Sequence, residues 1–559
     1  MDISKVSVVD PRIVQHKPKF AVEKGALSIT NQTFSAIANS ASQQTFQVQV
    51  PSENVFVDRA VDWVNTANLI VTVNYSNAPA QYTALAHPGV NFSLAPFPVT
   101  QTVSTYTATI NDQSLTVNVA DVLPQILRLA DLAKTRTQRT CPTMLDKYQS
   151  VQDASTVLNS PVGAWGSTYD PSNVPCGAWG DLSFYVPQGE TNVTISTTGS
   201  LNGVPRGLPY VTASVANKPY SFGVRFTTAE KLVLPPFIFA DEDELSTGLF
   251  GVQNIQFTAN FNAPTRAIRM VNSTAYSSSP SVAWAGVSDT GTLPSPFTKA
   301  LLQVQFLTPS LDVPLPSKSI VSWMEFPRYI SPVQTAFTAG NTSLTQLQSQ
   351  TITLPSIPDL LVIYVKPQSY ASPSECDWSL PISKISISFD NFSGLLANHS
   401  AYELYKMSVA NGLDMDWDEW SGSAWVNGSN VPQATTAALE FQGLTPLVGG
   451  PLVLRPGRDF ALSTGQAPGL VGNFTLQYDL QVDNTVAQST SSTMSIYTVC
   501  VNSGFFETIR GSSRILKGVV TEQDILGAPV ASVDSSMERL VGGKKHHMKK
   551  HHGLSHLLR

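Results

Sequence analysis

Apolar residues recur at every second position through much of this chain. In TFQVQV (45–50), Phe46, Val48 and Val50 share one face, and Gln47 and Gln49 take the other. That two-residue period is the mark of a half-buried strand. It returns at LIVTVNY (69–75), DLSFYV (181–186), NVTISTT (192–198), SFGVRFTT (221–228) and NIQFTANFN (254–262). TYTATINDQSLTVNV (105–119) reads as a hairpin turning at Asn111-Asp112. After residue 265 the rhythm restarts, with strands expected at 301–308, 319–326, 350–355, 359–365, 384–392, 473–482 and 493–501. A chain of this kind buries its apolar faces by packing sheet on sheet.

Two segments break the β pattern. DVLPQILRLADLAKT places Val122, Leu123, Ile126, Leu127, Ala130 and Ala133 on one helical stripe, with Asp121 as N-cap and Pro124 in the first turn. The second is SAYELYKMSVANG (400–412). Ser400 and Glu403 make a capping box, and Asn411-Gly412 ends the helix. Long Pro/Gly/Ser-rich stretches at 155–180 and 276–296 are expected to be surface loops. The twin GAWG at 163–166 and 177–180 reads as a turn with Trp165 or Trp179 as packing anchor.

The expected organisation is all-β: two β-sandwich domains, stacked or side by side, each with a short helix in a long loop. An arm at 1–25 precedes sandwiches at 26–264 and 265–515, and a C-terminal segment at 516–559 completes the chain.

Charged residues make up only 13% of the chain, about half the usual share. Uncharged polar residues fill the gap, as suits strands and turns. The net charge of −6 argues against nucleic-acid binding by the body as a whole. No apolar run is long enough to span a membrane. The opening MDISKVSVVDPRIVQHKPKF has no apolar core, so a secretory signal is not expected. Cys141, Cys176, Cys376 and Cys500 are scattered and read as free thiols of a reducing compartment.

Catalytic motifs are missing from the sequence: it contains no HExxH, GxSxG, P-loop or GxGxxG. Outside the C-terminal tail the only histidines are His16, His87 and His399, each expected to be solvent-exposed. No catalytic residue, metal ligand or cofactor is assigned. Two acidic clusters remain, ADEDE (240–244) and Asp414, Asp416, Asp418 and Glu419. The second has the D-x-D-x-D spacing of a calcium loop. However, Glu419 stands where an EF-hand needs Gly, and Trp425 where it needs Glu. A glycosidase carboxylate pair flanked by sugar-stacking Trp417, Trp420 and Trp425 is a second reading. The third has these Trp pack a loop at a subunit contact while the acids stay solvated.

The tail KKHHMKKHHGLSHLLR carries Lys544, Lys545, Lys549, Lys550 and Arg559 with no acid, and five of the eight His. Such a cluster neutralises phosphates. Just before it, Leu540-Val541-Gly542-Gly543 suits a narrow protease groove, with cleavage between Gly543 and Lys544; a plain linker is the alternative.

Longer runs of residues carry a resemblance. ATINDQSLTVNVADVLPQILRLAD, LPPFIFADEDELSTGLFGVQNIQFTANFN, AYELYKMSVANGLDMDWDEWSG, GGPLVLRPGRDFAL and VNSGFFETIRGSSRILKGVVTEQDIL together resemble double jelly-roll major capsid proteins. The relatives in view are those of Polinton-like viruses, adintovirus-like elements and virophages. The resemblance implies that the two sandwiches are jelly rolls side by side, a double jelly roll. It further implies a homotrimeric pseudo-hexagonal capsomer, many copies of which tile an icosahedral shell assembled in the host cytoplasm or nucleus. It implies minor capsid or penton proteins as partners, and a viral cysteine protease that cuts after Gly in aliphatic-x-Gly-Gly patterns. The tail would then face the encapsidated genome. The competing class is a secreted β-sandwich protein that binds or cleaves glycans.

Overall fold

The computed structural model describes residues 26–517, apart from 53, 76–83, 89–90, 130–139, 144, 152–180, 198–208, 214–218, 238–247, 272–275, 310–317, 338–344, 369, 371, 428–441 and 484–491. The arm at 1–25, His16, the GAWG pair, Cys176, ADEDE and everything from 518 onward lie outside the described residues.

The chain folds as a double jelly roll. In the first sandwich, one sheet is built on the long strand Asp62–Tyr75. Tyr220–Lys231 pairs along one edge of it, while Phe297–Pro309 and Tyr276–Trp284 share the other. Ala26–Ser35 extends this sheet by pairing with Phe297–Pro309. The facing sheet runs through Gln43–Gln49, Asn254–Phe261, Val103–Ile110 and Gln113–Val117. Alternation drives the closure. Phe46 and Val48 point inward with Phe257, Tyr106 and Trp63, and all five are buried. Trp63 lies edge-on to Tyr106 and Phe257, at 5.9 and 6.0 Å between ring centres. Its indole N–H donates to Gln44 Oε1 at 3.1 Å, and Gln44 Nε2 donates to Asn65 Oδ1 at 3.0 Å. The Trp63 indole and the Gln44 amide are thereby paired inside that core, as burial favours.

The second sandwich repeats the plan. Val471–Val482 is flanked by Ile382–Phe389 on one side and by Thr345–Gln348 and Ile352–Ser356 on the other. The facing sheet is built on the 18-residue strand Ser492–Ile509. Its first half pairs with Leu360–Pro367 and Arg328–Phe337. Its second half leaves the sandwich and pairs with Ser319–Glu325 and Ser512–Lys517.

The expected strands and the 111–112 turn are present; Asn111 takes the left-handed conformation at φ 55°. Three expectations change. The stretch 276–296 is not all loop, because Tyr276–Trp284 is a strand in the first sheet. The boundary expected near 265 falls inside the first sandwich, since strands as late as Pro309 bond into it, and the hand-over lies between Pro309 and Ser319. The first helix is Val119–Ile126, with Asn118 rather than Asp121 at the N-cap, and Pro124 is interior. The second helix is Ala401–Ala410, with the Ser400–Glu403 capping box formed. Each helix comes directly after the edge strand of its own sandwich, Gln113–Val117 in one and Phe392–Leu395 in the other. Among the described residues no helix is long and apolar enough to cross a membrane.

Candidate functional site

The polar side chains with the most elaborate environment lie between the two sandwiches. Arg266 and Arg269 come from the turn and short strand Pro264–Met270, which pairs with Phe92–Leu94 of the first unit. Asp377 comes from a loop of the second. Arg269 Nη2 donates to Asp146 Oδ2 at 2.7 Å and lies 3.5 Å from Asp377 Oδ2. Arg266 pairs with Asp377 Oδ1, donates to the Glu375 carbonyl at 2.8 Å, and stacks over Tyr370 at 4.3 Å. Gln101 Nε2 donates to the other Asp377 oxygen at 2.8 Å. All four charged groups are buried. Ions taken from water in this way persist only when paired and hydrogen-bonded. Burial alone would raise the Asp377 pKa, but Arg266, Arg269 and Lys366 outweigh it and hold the carboxyl below its usual range.

A second contact lies nearby. Leu360–Pro367 is buried on both faces. Leu361, Ile363 and Val365 share one side, and Val362, Tyr364 and Lys366 the other. Tyr364 donates its hydroxyl to the Asp121 carbonyl of the first helix. Lys366 Nζ reaches the Ala120 carbonyl at 3.1 Å and Asp121 Oδ1 at 3.2 Å, and Arg328 also pairs with Asp121. Burial lowers the Lys366 pKa, against the opposing pull of Asp121. At the far end, Ser513 N–H donates to Asp112 Oδ1 at 2.6 Å, and Asn111 Nδ2 donates to Ser513 Oγ at 2.9 Å. The seam is therefore bonded along its length.

This seam was legible in part. An unbroken apolar run such as Leu360–Val365 marks a strand covered on both faces, and Lys366 at its end is the buried exception. Nothing local in the sequence pairs Arg266 with Asp377.

The Trp417 region forms a separate surface. Asp416 caps the short helix Trp417–Ser421, its Oδ1 accepting from Glu419 N–H at 2.8 Å. Glu419 pairs with Lys147 at 3.0 Å. The D-x-D-x-D spacing thus serves a helix start. Among the described residues no three His, Cys, Asp or Glu side chains gather as a metal site. The three Trp separate in role. Trp420, expected at a subunit contact, is 1% exposed and donates Nε1–H to the Pro451 carbonyl at 2.9 Å; it is a core residue. Trp417 is 37% exposed, edge-on to Tyr402 and Tyr405 at 5.4 Å from each. Trp425 lies in the strand Ser423–Asn427. With Tyr402, Val409 and Trp417 exposed together, this is an apolar surface patch.

His87, expected at the surface, is buried instead. Its Nδ1 lies 2.8 Å from the Pro88 carbonyl, its ring stacks on Tyr210 at 5.4 Å, and desolvation lowers its pKa. Cys141, Cys376 and Cys500 are free and buried, and burial raises each thiol's pKa, that of Cys500 to about 12. Inert protonated thiols are the result. The cleavage position Gly542-Gly543-Lys544 and the tail cations lie outside the described residues.

Comparison with known proteins agrees with this architecture. The family model described as Sputnik virophage major capsid protein 1st domain matches residues 1–307. The model for the major capsid protein V20 C-terminal domain matches 326–504. The gap between the two matches, 308–325, contains the whole of the observed hand-over from Pro309 to Ser319. A putative capsid protein V20 of Sputnik virophage is 26% identical over 553 residues, covering 97% of this chain and 84% of that protein. The Sputnik virophage structure determined by cryo-EM superposes with a TM-score of 0.72 at 22% identity, covering 95% of this chain and 96% of that one. The crystal structure of mavirus major capsid protein gives 0.70 at 15% identity, covering 95% and 99%. The chain belongs to the virophage major capsid protein family.

Proposed function

We propose that this chain is a shell-building subunit without enzymatic activity, and that three copies close into a pseudo-hexagonal capsomer tiling an icosahedral virion. The observation that carries this reading is the bonded seam. Two sandwiches tied by the buried pairs of Arg266 and Arg269 with Asp377 make one stiff building block, and three such double blocks present six sides. Jelly-roll edges are a liability unless covered, and closed threefold assembly covers them. The patch of Tyr402, Val409 and Trp417 is the proposed subunit contact.

The same reading places minor capsid or penton proteins at the vertices and assembly in the host cytoplasm or nucleus. The tail cations Lys544, Lys545, Lys549, Lys550 and Arg559 face inward, where encapsidated phosphates attract them. Cleavage after Gly543 by a viral cysteine protease releases them. The five tail His add charge as pH falls toward their reference value of about 6.5, strengthening that attraction in acid.

Native mass of the purified chain tests the assembly. Three times 60.2 kDa is expected, and only monomer at micromolar concentration overturns it. Turnover of a glycan or ester, lost on changing Asp416 or Glu419, would restore the glycan-active alternative. Intact mass of the protein from mature particles tests cleavage.

A further inference from the structure

The seam within one chain joins a helix to a sheet face. The second and third residues of the helix Val119–Ile126, Ala120 and Asp121, meet the second sandwich through Lys366. The receiving sheet runs from the edge strand Arg328–Phe337 through Ser492–Ile509 to Leu360–Pro367. Thr498 of its central strand bonds Tyr478 of the facing sheet, so Tyr497 beside it points outward. Tyr497 stacks on Tyr364 at 5.4 Å between ring centres, and its ring centre lies 4.7 Å from Lys366 Nζ. A helix of one sandwich therefore sits on the outer sheet face of the other.

Each sandwich has both of these parts. The first has the matching sheet, from the edge strand Ala26–Ser35 through Phe297–Pro309 to Asp62–Tyr75. The second has the matching helix, Ala401–Ala410, which also follows the edge strand of its own sandwich. The outward side of each stays open. On the helix, Tyr402 and Val409 are 51% and 41% exposed, and Trp417 packs edge-on to Tyr402. On the sheet, Phe34 packs inward on Phe306. Alternation then puts Ile29, Asn31 and Thr33 on the outer face, with Leu307 opposite Ile29 and Gln305 opposite Asn31. Ile29 is 56% exposed. Among the described residues the first sandwich exposes only two large apolar side chains, Ile29 and Ile37, both within or just after this strand. Edge strands left open to water are commonly guarded by charge or proline. Ala26–Ser35 has neither, and no charged residue occurs from Ala26 to Ser52. Such an edge is suited to being covered.

Closure fixes the kind of partner. A surface that pairs with its own copy gives a twofold dimer and stops, whereas a threefold ring needs two different surfaces on each copy. The Tyr402 surface belongs to the second sandwich, so its counterpart lies elsewhere on the neighbour. The edge at Ile29 is the apolar, uncharged surface that the first sandwich offers. The lengths agree: Ile29 to Thr33 spans about 13 Å of strand, and Tyr402 to Val409 about 10 Å of helix. We propose that the helix Ala401–Ala410 of one copy seats on the outer face of Ala26–Ser35 of the next, with Tyr402, Val409 and Trp417 over Ile29 and Thr33. The joint between chains then repeats the helix-on-sheet joint within the chain, and six sandwiches meet in one manner around the ring. This pairing rests on the threefold closure proposed above and supplies the other half of its contact.

Cross-linking of single-cysteine variants of the full chain tests it. Asn31→Cys and Lys406→Cys lie at the middle of the two surfaces, and both positions are exposed, so both variants keep the fold. Cys141, Cys376 and Cys500 are buried, and every chain also carries Cys176→Ser. Co-expressed and treated with a short bismaleimide, the two variants are expected to give linked pairs holding one chain of each, and either variant alone none. Links of Lys406→Cys chains to one another, or of Asn31→Cys chains to one another, show a twofold contact and overturn the proposal. Absence of mixed links while the native mass stays at three times 60.2 kDa assigns the edge to another occupant and overturns the pairing alone. Monomer without links overturns the threefold closure as well. Ile29→Asp gives an independent reading. The concentration at which half the chains are trimeric should rise about tenfold, with the far-ultraviolet circular dichroism of the unaltered chain. Assembly unchanged by Ile29→Asp overturns the pairing.

Discussion

Lys366 supplies the hydrogen bond that Pro124 withholds. Pro124 has no N–H to donate to the Ala120 carbonyl one turn earlier, and Lys366 Nζ from the other sandwich sits 3.1 Å from that oxygen. A defect in a helix of the first jelly roll thus becomes an attachment point for the second. The same ammonium bonds Asp121 at 3.2 Å and lies 4.7 Å from the centre of the Tyr497 ring.

The dependence is testable as a coupling. Lys366→Met removes the charged donor from the Ala120 carbonyl and from Asp121 and is expected to cost about 1–3 kcal/mol. Pro124→Ala restores a backbone N–H to that carbonyl, so Lys366→Met should cost less in its presence. Chemical denaturation of the four-member cycle measures the difference, and strict additivity would show that the two residues act separately.

The seam is expected to weaken in acid. Asp377 is held below its usual range in the folded chain, so as pH falls the unfolded chain takes up the proton first. The stability it contributes is complete above the reference value of about 3.9 and is lost as pH drops through the lower folded value. Glu230, raised by burial, works in the opposite direction over its own range. Melting temperature against pH, compared with Asp377→Asn, isolates the Asp377 contribution. The variant should be less stable at pH 7 and flatter below about pH 4.

Glu230 accepts backbone N–H bonds from Val99 and Thr100, both at 2.8 Å, in the buried core. Glu230→Ala strands both donors, and a loss of about 2–5 kcal/mol is expected by denaturation. A loss below about 1 kcal/mol would show that water replaces the carboxylate.

Gly450 is required by Trp420. A Cβ at 450 would lie 2.2 Å from Trp420 Cδ1, so Gly450→Ala forces the indole from its place beneath Pro451. A cost of about 1–3 kcal/mol is expected, reduced when Trp420 is also replaced by Leu.

Trp417 and Trp420 should part company in solution. Trp417→Ala is expected to leave the melting temperature nearly unchanged and to weaken self-association in sedimentation velocity. Trp420→Ala empties a core site and should cost about 3–5 kcal/mol. Equal effects of the two on association would remove Trp417 from the proposed contact.

What the sequence determined by itself was local. The two-residue alternation of Phe46, Val48 and Val50 specifies a strand and its buried face, because successive side chains point to opposite sides. Asn111 marks a hairpin because it tolerates positive φ. Ser400 and Glu403 start a helix by satisfying each other's backbone donors. The family resemblance was legible too, because it rests on whole runs of residues. Tertiary structure alone decided which strands share a sandwich, and so carried the first unit to Pro309. It buried Trp420 and left Trp417 half open, though the two stand three residues apart. It also brought Arg266 to Asp377 across 111 positions of chain. Period, caps and turns depend on neighbours within a few bonds. The partner of a buried charge is set by which surfaces meet, and no local pattern encodes that.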